Sequence, residues 1–205
     1  GCTELRINRN AIYDVVDHTF IVNAYFTGIS ISYGSSLISG EVNNNLIYNV
    51  QPFQSLSGIR TSEFVDVSIS NNTIVFDDTA ASYGIVNGIF LGGAYNETKL
   101  RSNLIYITHG GNDDKYGIRV FGQNINSRLP LNISHNNIYL NSLGFGVQRP
   151  FYLTSVNWSN SSIDSLGLGE GNLEVDPLFK NSTFYDYTPT NPILNAAGSY
   201  DSFTE

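Results

Sequence analysis

Apolar and polar residues alternate one by one along several short stretches of the chain, for example in residues 5–8, 67–70 and 131–134. A period of two residues is typical of a β-strand with one buried face, because successive side chains point to opposite sides of the strand. An asparagine follows each of these stretches, and apolar, often β-branched residues then resume. The pattern predicts an all-β protein in which strands bend at an asparagine and continue.

Two signals recur together along the chain and indicate an internal repeat. The first is the template apolar-x-x-Asn-x-Ile, and the second is a Gly-Ile pair that follows it. The template asparagines are Asn10, Asn45, Asn72, Asn103 and Asn136. The Gly-Ile pairs begin at Gly28, Gly58, Gly88 and Gly117, and a fifth pair is either Gly144-Phe145 or Gly146-Val147. The Gly-Ile pairs keep a nearly constant spacing while the asparagine spacing varies, as in a solenoid whose loops differ in length.

The repeat predicts a right-handed parallel β-helix of about five to six coils. We expect each template asparagine to occupy a sharp corner itself, because asparagine tolerates left-handed backbone geometry and bonds to its neighbouring backbone. Five asparagines stacked at one corner would form an internal hydrogen-bonded ladder. The isoleucines of the Gly-Ile pairs would form a second column, which comprises Ile29, Ile59, Ile89 and Ile118.

The inward asparagines and Gly-Ile strands over residues 5–150 resemble the coils of the pectate-lyase-like superfamily of parallel β-helices. Residues 175–179 (Val-Asp-Pro-Leu-Phe) and the later Asn191-Pro192 resemble the DPLF-type closing segment of secreted bacterial and archaeal members. The resemblance implies one β-helix domain over residues 1–205, in an extracellular or cell-surface location. Residues 151–205 would then comprise a degenerate last coil, with Val156 in place of the ladder asparagine, and a C-terminal cap.

Charge and composition exclude several classes of function. The formal net charge is −8, with 10 Lys and Arg against 18 Asp and Glu. This balance argues against a nucleic-acid partner, which would require clustered basic residues to neutralise phosphates. The single cysteine, Cys2, excludes an internal disulfide framework and a thiolate zinc site. No apolar run is long enough to span a membrane.

The N-terminal end of the predicted solenoid is open. Leu5, Arg6 and Ile7 enter the repeat at once, and the chain contains no Met. An open strand edge presents unpaired backbone groups, so we expect either preceding coils or a second chain to cover these three residues. Cys2 is either a lipidation site or a fragment boundary.

The residue after each isoleucine of the Gly-Ile pairs should point outward. Down the stack these positions hold Ser30, Arg60, Phe90 and Arg119. Arginines with an aromatic ring between them could bind an acidic sugar through paired hydrogen bonds and stacking. Arg60, Phe90, Arg119 and Tyr116 are therefore candidate substrate-binding residues, unless they simply cover a sheet face. The resemblance implies that Arg60 or Arg119 could abstract a proton beside a uronate carboxylate, as a basic residue does in the family's lyases.

The loops between the two sets of strands carry acidic residues and a histidine: Asp77, Asp78, His109, Asp113 and Asp114. If the coils stack these residues in one column, the carboxylates would suit a calcium ion, which takes six to eight oxygen ligands, or an acid–base pair for glycosidic bond cleavage. Together with Arg60 and Arg119, they are the catalytic candidates. The alternative is that they are ordinary turn residues.

These observations favour a polysaccharide-binding module outside the cell, with the glycan along the strand face. The first alternative is an enzyme acting on an acidic glycan, namely a lyase, glycoside hydrolase or epimerase. The second is a purely structural stalk, adhesin or phage-fibre segment. Convergence of the four aspartates beside Arg60 or Arg119 would favour the enzyme.

Overall fold

The computed structural model describes residues 4–16, 25–32, 39–51, 55–62, 66–79, 84–92, 98–121, 131–142, 144–153, 156–158, 168–184 and 186–196. Regular structure in these segments is almost entirely β, which confirms the predicted class. The exceptions are a 3-10 turn at Ser182–Phe184 and the short helix α1 at Pro192–Ala196. No helix in the described segments has the length and apolar character needed to cross a membrane.

The strands are short and follow one another in a regular order. In chain order they are β1 (Glu4–Asn8), β2 (Ala11–Ile12), β3 (Val15–Val16), β4 (Tyr25–Ser32), β5 (Ser39–Asn43), β6 (Leu46–Ile47), β7 (Val50–Gln51), β8 (Ser55–Ser62), β9 (Asp66–Ser70), β10 (Thr73–Phe76), β11 (Ile85–Leu91), β12 (Thr98–Arg101), β13 (Leu104–Ile107), β14 (Lys115–Val120), β15 (Leu131–Ser134), β16 (Asn137–Leu140), β17 (Gln148–Leu153), β18 (Val156–Trp158), β19 (Phe179–Asn181) and β20 (Asp186–Pro189).

These strands form three main sheets, and every pairing between successive coils is parallel. Sheet A contains β1, β5, β9, β12 and β15, and sheet B contains β2, β6, β10, β13 and β16. Sheet C contains β4, β8, β11, β14 and β17, with β18 added antiparallel at the β17 edge. The fold is a parallel β-solenoid of about four turns, so the predicted five to six coils are not confirmed. β1 lies at the edge of sheet A, and its coverage by further coils or a second chain stays a prediction.

The inward residues of the three sheets form one continuous apolar core. Ile29, Ile59, Ile89 and Ile118 lie in register in sheet C, as predicted. The glycine of each Gly-Ile pair is needed because sheet B isoleucines fill the space beside it. A Cβ on Gly88 would lie 2.5 Å from Cγ2 of Ile105 and 2.7 Å from the carbonyl oxygen of Gly117. The repeated Gly-Ile pair is therefore a packing signal.

The fifth position of the isoleucine column is Phe151, which pairs with Ile118. The predictions of Phe145 and Val147 for this position are both wrong. Gly144 and Gly146 instead belong to the loop before β17, where a Cβ would lie 2.0 Å from the Gly111 oxygen and 1.9 Å from the Asp113 oxygen, respectively. These glycines permit close stacking of loops and do not mark a strand.

The predicted asparagine ladder is present and continues one step further than expected. Each ladder asparagine donates from Nδ2 to Oδ1 of the asparagine in the next coil, at 2.9–3.0 Å, from Asn10 through Asn136 to Asn172. Asn172 therefore takes the sixth position. Val156 does not, because β18 turns back and pairs antiparallel with β17. The repeat pattern missed this asparagine because Gly169 and Glu174 stand where the template has an apolar residue and an isoleucine.

The sharp corner itself is made by the residue before each ladder asparagine. These residues have positive φ angles of 53–68°: Arg9, Asn44, Asn71, Ser102, His135 and Gly171. The expectation that the ladder asparagine adopts the left-handed conformation is therefore wrong. The preceding residue turns the chain, and the asparagine side chain is free to point inward and bond along the stack.

The C-terminal hairpin of β19 and β20 packs along the flank of the solenoid. The Tyr187 ring lies 5.2 Å from that of Tyr48, and the Phe179 ring lies 5.0 Å from that of Tyr106, between ring centres. Tyr48 and Tyr106 belong to the outer side of the sheet B region, so the described hairpin does not confirm a cap over the last coil. The side chain of Trp158 lies outside the described residues.

Candidate functional site

The outward residues of sheet C form a continuous row across the strands. Ser30, Arg60, Phe90, Arg119 and Tyr152 occupy consecutive strands in register. Each follows an inward core residue, so the period of two directs it away from the core. Tyr116 of β14 and Arg149 of β17 are also register partners, and each lies three residues before the row residue of its own strand. We call Arg60, Phe90, Tyr116, Arg119, Arg149 and Tyr152 the arginine–aromatic column.

The guanidinium groups of this column lie over aromatic rings. The central carbon of Arg60 is 5.0 Å and that of Arg119 is 5.6 Å from the ring centre of Phe90. Arg119 is also 4.4 Å from the ring of Tyr116 and 5.8 Å from that of Tyr152. Such cation–π contacts contribute about 0.5–2 kcal/mol each, and they hold long arginine side chains in defined positions.

Arg60 and Arg119 have no carboxylate partner among the described residues. The Nε atom of Arg119 is buried and makes no hydrogen bond. Because this nitrogen is covered by protein atoms, a ligand on the outer face could bind the half-buried guanidinium group only through its terminal nitrogens. The sequence-based placement of Arg60, Phe90 and Arg119 on one outer face is thus matched by their register and contacts.

At the other end of the column, the positive charge of Arg149 is neutralised by a carboxylate of the same chain. Arg149 forms an ion pair with Asp114, and the Tyr116 hydroxyl donates to Oδ2 of Asp114 at 2.9 Å. Burial would raise the pKa of Asp114, but the hydrogen bonds from Arg149, Tyr116 and the Val147 N–H outweigh it and lower this pKa. Burial, together with the bond to Asp114, raises the pKa of Tyr116. Asp114 therefore stays ionised and compensates Arg149.

Tyr116 is only 5% exposed. Its ring packs against the Arg119 guanidinium group and offers little surface to a ligand. Tyr152 and Arg149 were not predicted from the sequence. The alternation of inward and outward residues would place Tyr152 on the outer face, because Tyr152 follows Phe151 as Arg119 follows Ile118. This placement was missed because β17 has Pro150-Phe151 where the preceding strands of sheet C have Gly-Ile.

The four candidate aspartates divide between the two ends of the loops that join sheets B and C. The Asp78 carbonyl accepts from the Gly110 N–H at 2.9 Å, where the loop leaves sheet B, whereas the Asp114 carbonyl accepts from the Val86 N–H at 3.1 Å, where it enters sheet C. Asp78 therefore lies beside the beginning of the loop in the next coil, whereas Asp114 lies at the end of that loop.

The aspartate side chains also have different partners. Asp77 accepts from the Tyr187 hydroxyl at 3.5 Å, and burial raises its pKa. Asp113 accepts from the Gly84 N–H at 2.8 Å. In the described part of the chain, no three His, Cys, Asp or Glu side chains are grouped so that they could hold a metal ion. The structure thus does not bring the candidate calcium ligands together there.

His109 and Lys115 are completely buried inside this loop region. The Nδ1 atom of His109 accepts from the Gly111 N–H at 3.2 Å, and its Nε2 atom is buried without a partner. The Lys115 Nζ donates to the carbonyl oxygens of Gly111 at 2.8 Å, Gly84 at 3.3 Å and Asp113. Neither side chain reaches the outer face of sheet C, so both hold the loops together.

We expect stability to fall between pH 6.5 and pH 4 because of His109. Burial, aided by the nearby Lys115 charge and opposed by Asp78, lowers the His109 pKa from 6.5 to about 4. Below pH 6.5 the unfolded chain takes up a proton that the folded chain rejects, so the free energy of unfolding falls by up to about 3 kcal/mol until pH 4 is reached. Urea unfolding followed by circular dichroism at several pH values measures this.

The matched variants are His109→Gln and His135→Gln, since His135 lies at a partly open corner of the solenoid. The first should flatten the stability profile over this pH range, whatever its stability at neutral pH. The second should keep the wild-type slope. An unchanged slope in His109→Gln would contradict the assignment.

Comparison with known proteins offers no relative from which a role could be transferred. No protein-family model, no curated protein and no solved structure matches the chain. The resemblance to the pectate-lyase-like superfamily and its closing segment therefore stays a prediction. The parallel solenoid and its asparagine ladder rest on the structure itself.

Proposed function

We propose that the chain is an extracellular or cell-surface module that binds an acidic polysaccharide along the outer face of sheet C. The observation that carries the proposal is the pair of arginines, Arg60 and Arg119, which flank the Phe90 ring and have no carboxylate partner among the described residues. Guanidinium groups bind carboxylate and sulfate oxygens through paired hydrogen bonds. The partly exposed Phe90 ring lies between them and holds both guanidinium groups in defined positions.

The shape of this face suits an extended polymer. Parallel strands repeat at about 4.8 Å, so the column presents its groups at regular intervals along the solenoid. Small-molecule sites, in contrast, are usually concave and enclose most of the ligand. A row of side chains on an open sheet is a better match for a chain of repeated sugar units.

The overall charge of −8 does not favour long-range attraction of a polyanion. Exposed charges act over only about 8 Å at physiological ionic strength, so the local arginines dominate once the glycan is in contact. We therefore expect binding to depend on particular side chains and not on the general field of the protein.

Substitution of Arg119 tests the proposal. Arg119→Ala should weaken binding of acidic glycans by about tenfold to a hundredfold, because a charge-assisted hydrogen bond contributes about 1.5–3 kcal/mol. Arg101→Ala is the matched control, since it removes an equal charge from an exposed position on sheet A. A glycan array of acidic and neutral polysaccharides, followed by titration calorimetry of the bound ones, measures both effects.

Equal losses in the two variants, or no binding of any acidic glycan by the wild-type chain, would contradict the proposal. Incubation with a bound glycan and an assay for new reducing ends or unsaturated products tests the catalytic alternative in the same experiment. Protease treatment of intact source cells tests the proposed location.

A further inference from the structure

We infer that sheet C selects a glycan whose anionic groups recur on every second sugar and not on every sugar. This inference deepens the proposed function and depends on it. It follows from the order of side chains in the outward row, where Arg60, Phe90, Arg119 and Tyr152 occupy four consecutive strands. Cations and rings alternate along that row.

The alternation sets the distance between the available charges. Two strand spacings separate Arg60 from Arg119, which corresponds to about 10 Å along the solenoid. The contacts agree with this spacing, since the two guanidinium carbons lie 5.0 Å and 5.6 Å from the centre of the same Phe90 ring. A linear glycan on this face would advance by about one sugar per strand, so its charges would match the arginines when they occur on alternate sugars.

The positions between the arginines disfavour a second set of anions. The face of an aromatic ring carries partial negative charge, and Phe90 supplies no hydrogen-bond donor, so a carboxylate at this position would have to share the guanidinium groups of Arg60 and Arg119 with the anions already bound there. The next ring position, Tyr152, lies beside Arg149, whose charge is already compensated by Asp114. A neutral sugar at either position, in contrast, needs no cation of its own.

The residue that the first strand contributes to the row also agrees with the inferred spacing of anions. This residue is Ser30, a small neutral side chain in register with Arg60. The row thus contains two available cations, and each of them has uncharged neighbours on both sides. A polymer with a charge on every sugar would pair only half of its anions with a cation of the row.

Two hexasaccharides of equal length provide the test. One alternates a uronate with a neutral N-acetylated sugar, and the other contains a uronate at every position. Titration calorimetry of the wild-type chain at one ionic strength should show at least about tenfold tighter binding of the alternating compound. Equal or tighter binding of the homopolymeric compound overturns the inference and leaves the proposed function intact. If neither compound binds, and no acidic glycan binds on the array, the proposed function fails.

A substitution at the central ring sharpens the test. Phe90→Arg places three cations on consecutive strands, so it should reverse the preference in favour of the hexasaccharide with a uronate at every position. Phe90→Leu is the matched control, which removes the ring without adding charge and should weaken binding of the alternating compound without reversing the order. An unchanged preference in a folded Phe90→Arg variant would contradict the inference. Should that variant fail to fold, the wild-type comparison still decides.

Discussion

Replacing Asn103 with leucine is expected to lower the free energy of unfolding by about 3–5 kcal/mol. Asn103 is completely buried. Its Nδ2 donates to Oδ1 of Asn136 and to the Ile69 carbonyl, both at 2.9 Å. Its Oδ1 accepts from the side chain and the backbone N–H of Asn72 at 2.9 and 3.1 Å. Leucine has similar volume but removes the acceptor of the Asn72 backbone N–H and the donor to the Ile69 carbonyl, and it leaves Asn136 and Asn72 with one fewer bond each in the core.

Asn10→Leu is the matched control, because Asn10 occupies the exposed first position of the same ladder. Its side chain donates to Asn45 and to the Asn8 carbonyl, and no described asparagine donates to it in turn. We expect a loss of about 1 kcal/mol. Urea denaturation followed by circular dichroism measures both variants. Equal losses, or a loss below about 1 kcal/mol for Asn103→Leu, would show that the ladder is not a major source of stability.

The contrast between the ladder and the corner shows what the repeat pattern can and cannot predict. The pattern identifies positions that must be equivalent in every coil, so the inward asparagines and isoleucines are found from their spacing. It does not say which of two adjacent residues has the left-handed backbone. At that corner Asn44, Asn71 and Gly171 are residue types that favour the left-handed conformation. Arg9, Ser102 and His135 share the conformation and no chemistry, so the sequence signal is present at only half of the corners.

The errors in the last coil have a physical origin in packing. The regular coils need glycine beside the sheet B isoleucines, and this requirement creates the Gly-Ile signal. In β17 Pro150 and Phe151 occupy the corresponding positions, while Gly144 and Gly146 permit the close stacking of loops. A glycine required for a close loop contact cannot be distinguished from a glycine required in a strand by its position in the sequence alone.

The candidate site was predictable to the extent that it depends on strand register. Arg60, Phe90 and Arg119 lie where a period of two directs them. The aspartates depend on how loops of unequal length stack, and this is decided by contacts such as the bond from the Gly84 N–H to Asp113. Such contacts join residues that no repeat relates, so the predicted single column of carboxylates had no basis in the strand pattern.

Lys115→Met is expected to lower the free energy of unfolding by about 3–5 kcal/mol, although it replaces a charged side chain in the interior with an apolar one. Burial lowers the pKa of Lys115, and the nearby Asp113 and Asp114 carboxylates oppose this shift. The ammonium group joins three carbonyl oxygens from two consecutive loops, those of Gly84, Gly111 and Asp113. Methionine fills similar space but leaves the buried carbonyls of Gly84 and Gly111 without this donor.

Lys180→Met is the control, since Lys180 is an exposed residue whose ion pair with Asp186 spans 3.4 Å. A surface pair of this kind contributes at most about 1 kcal/mol. Thermal and urea unfolding of both variants measure the difference. If Lys115→Met were as stable as the wild-type chain, the carbonyls would have found other donors, and Lys115 would not be what joins the two loops. A large loss would instead show that the loops beneath the arginine–aromatic column are held in place by a buried cation.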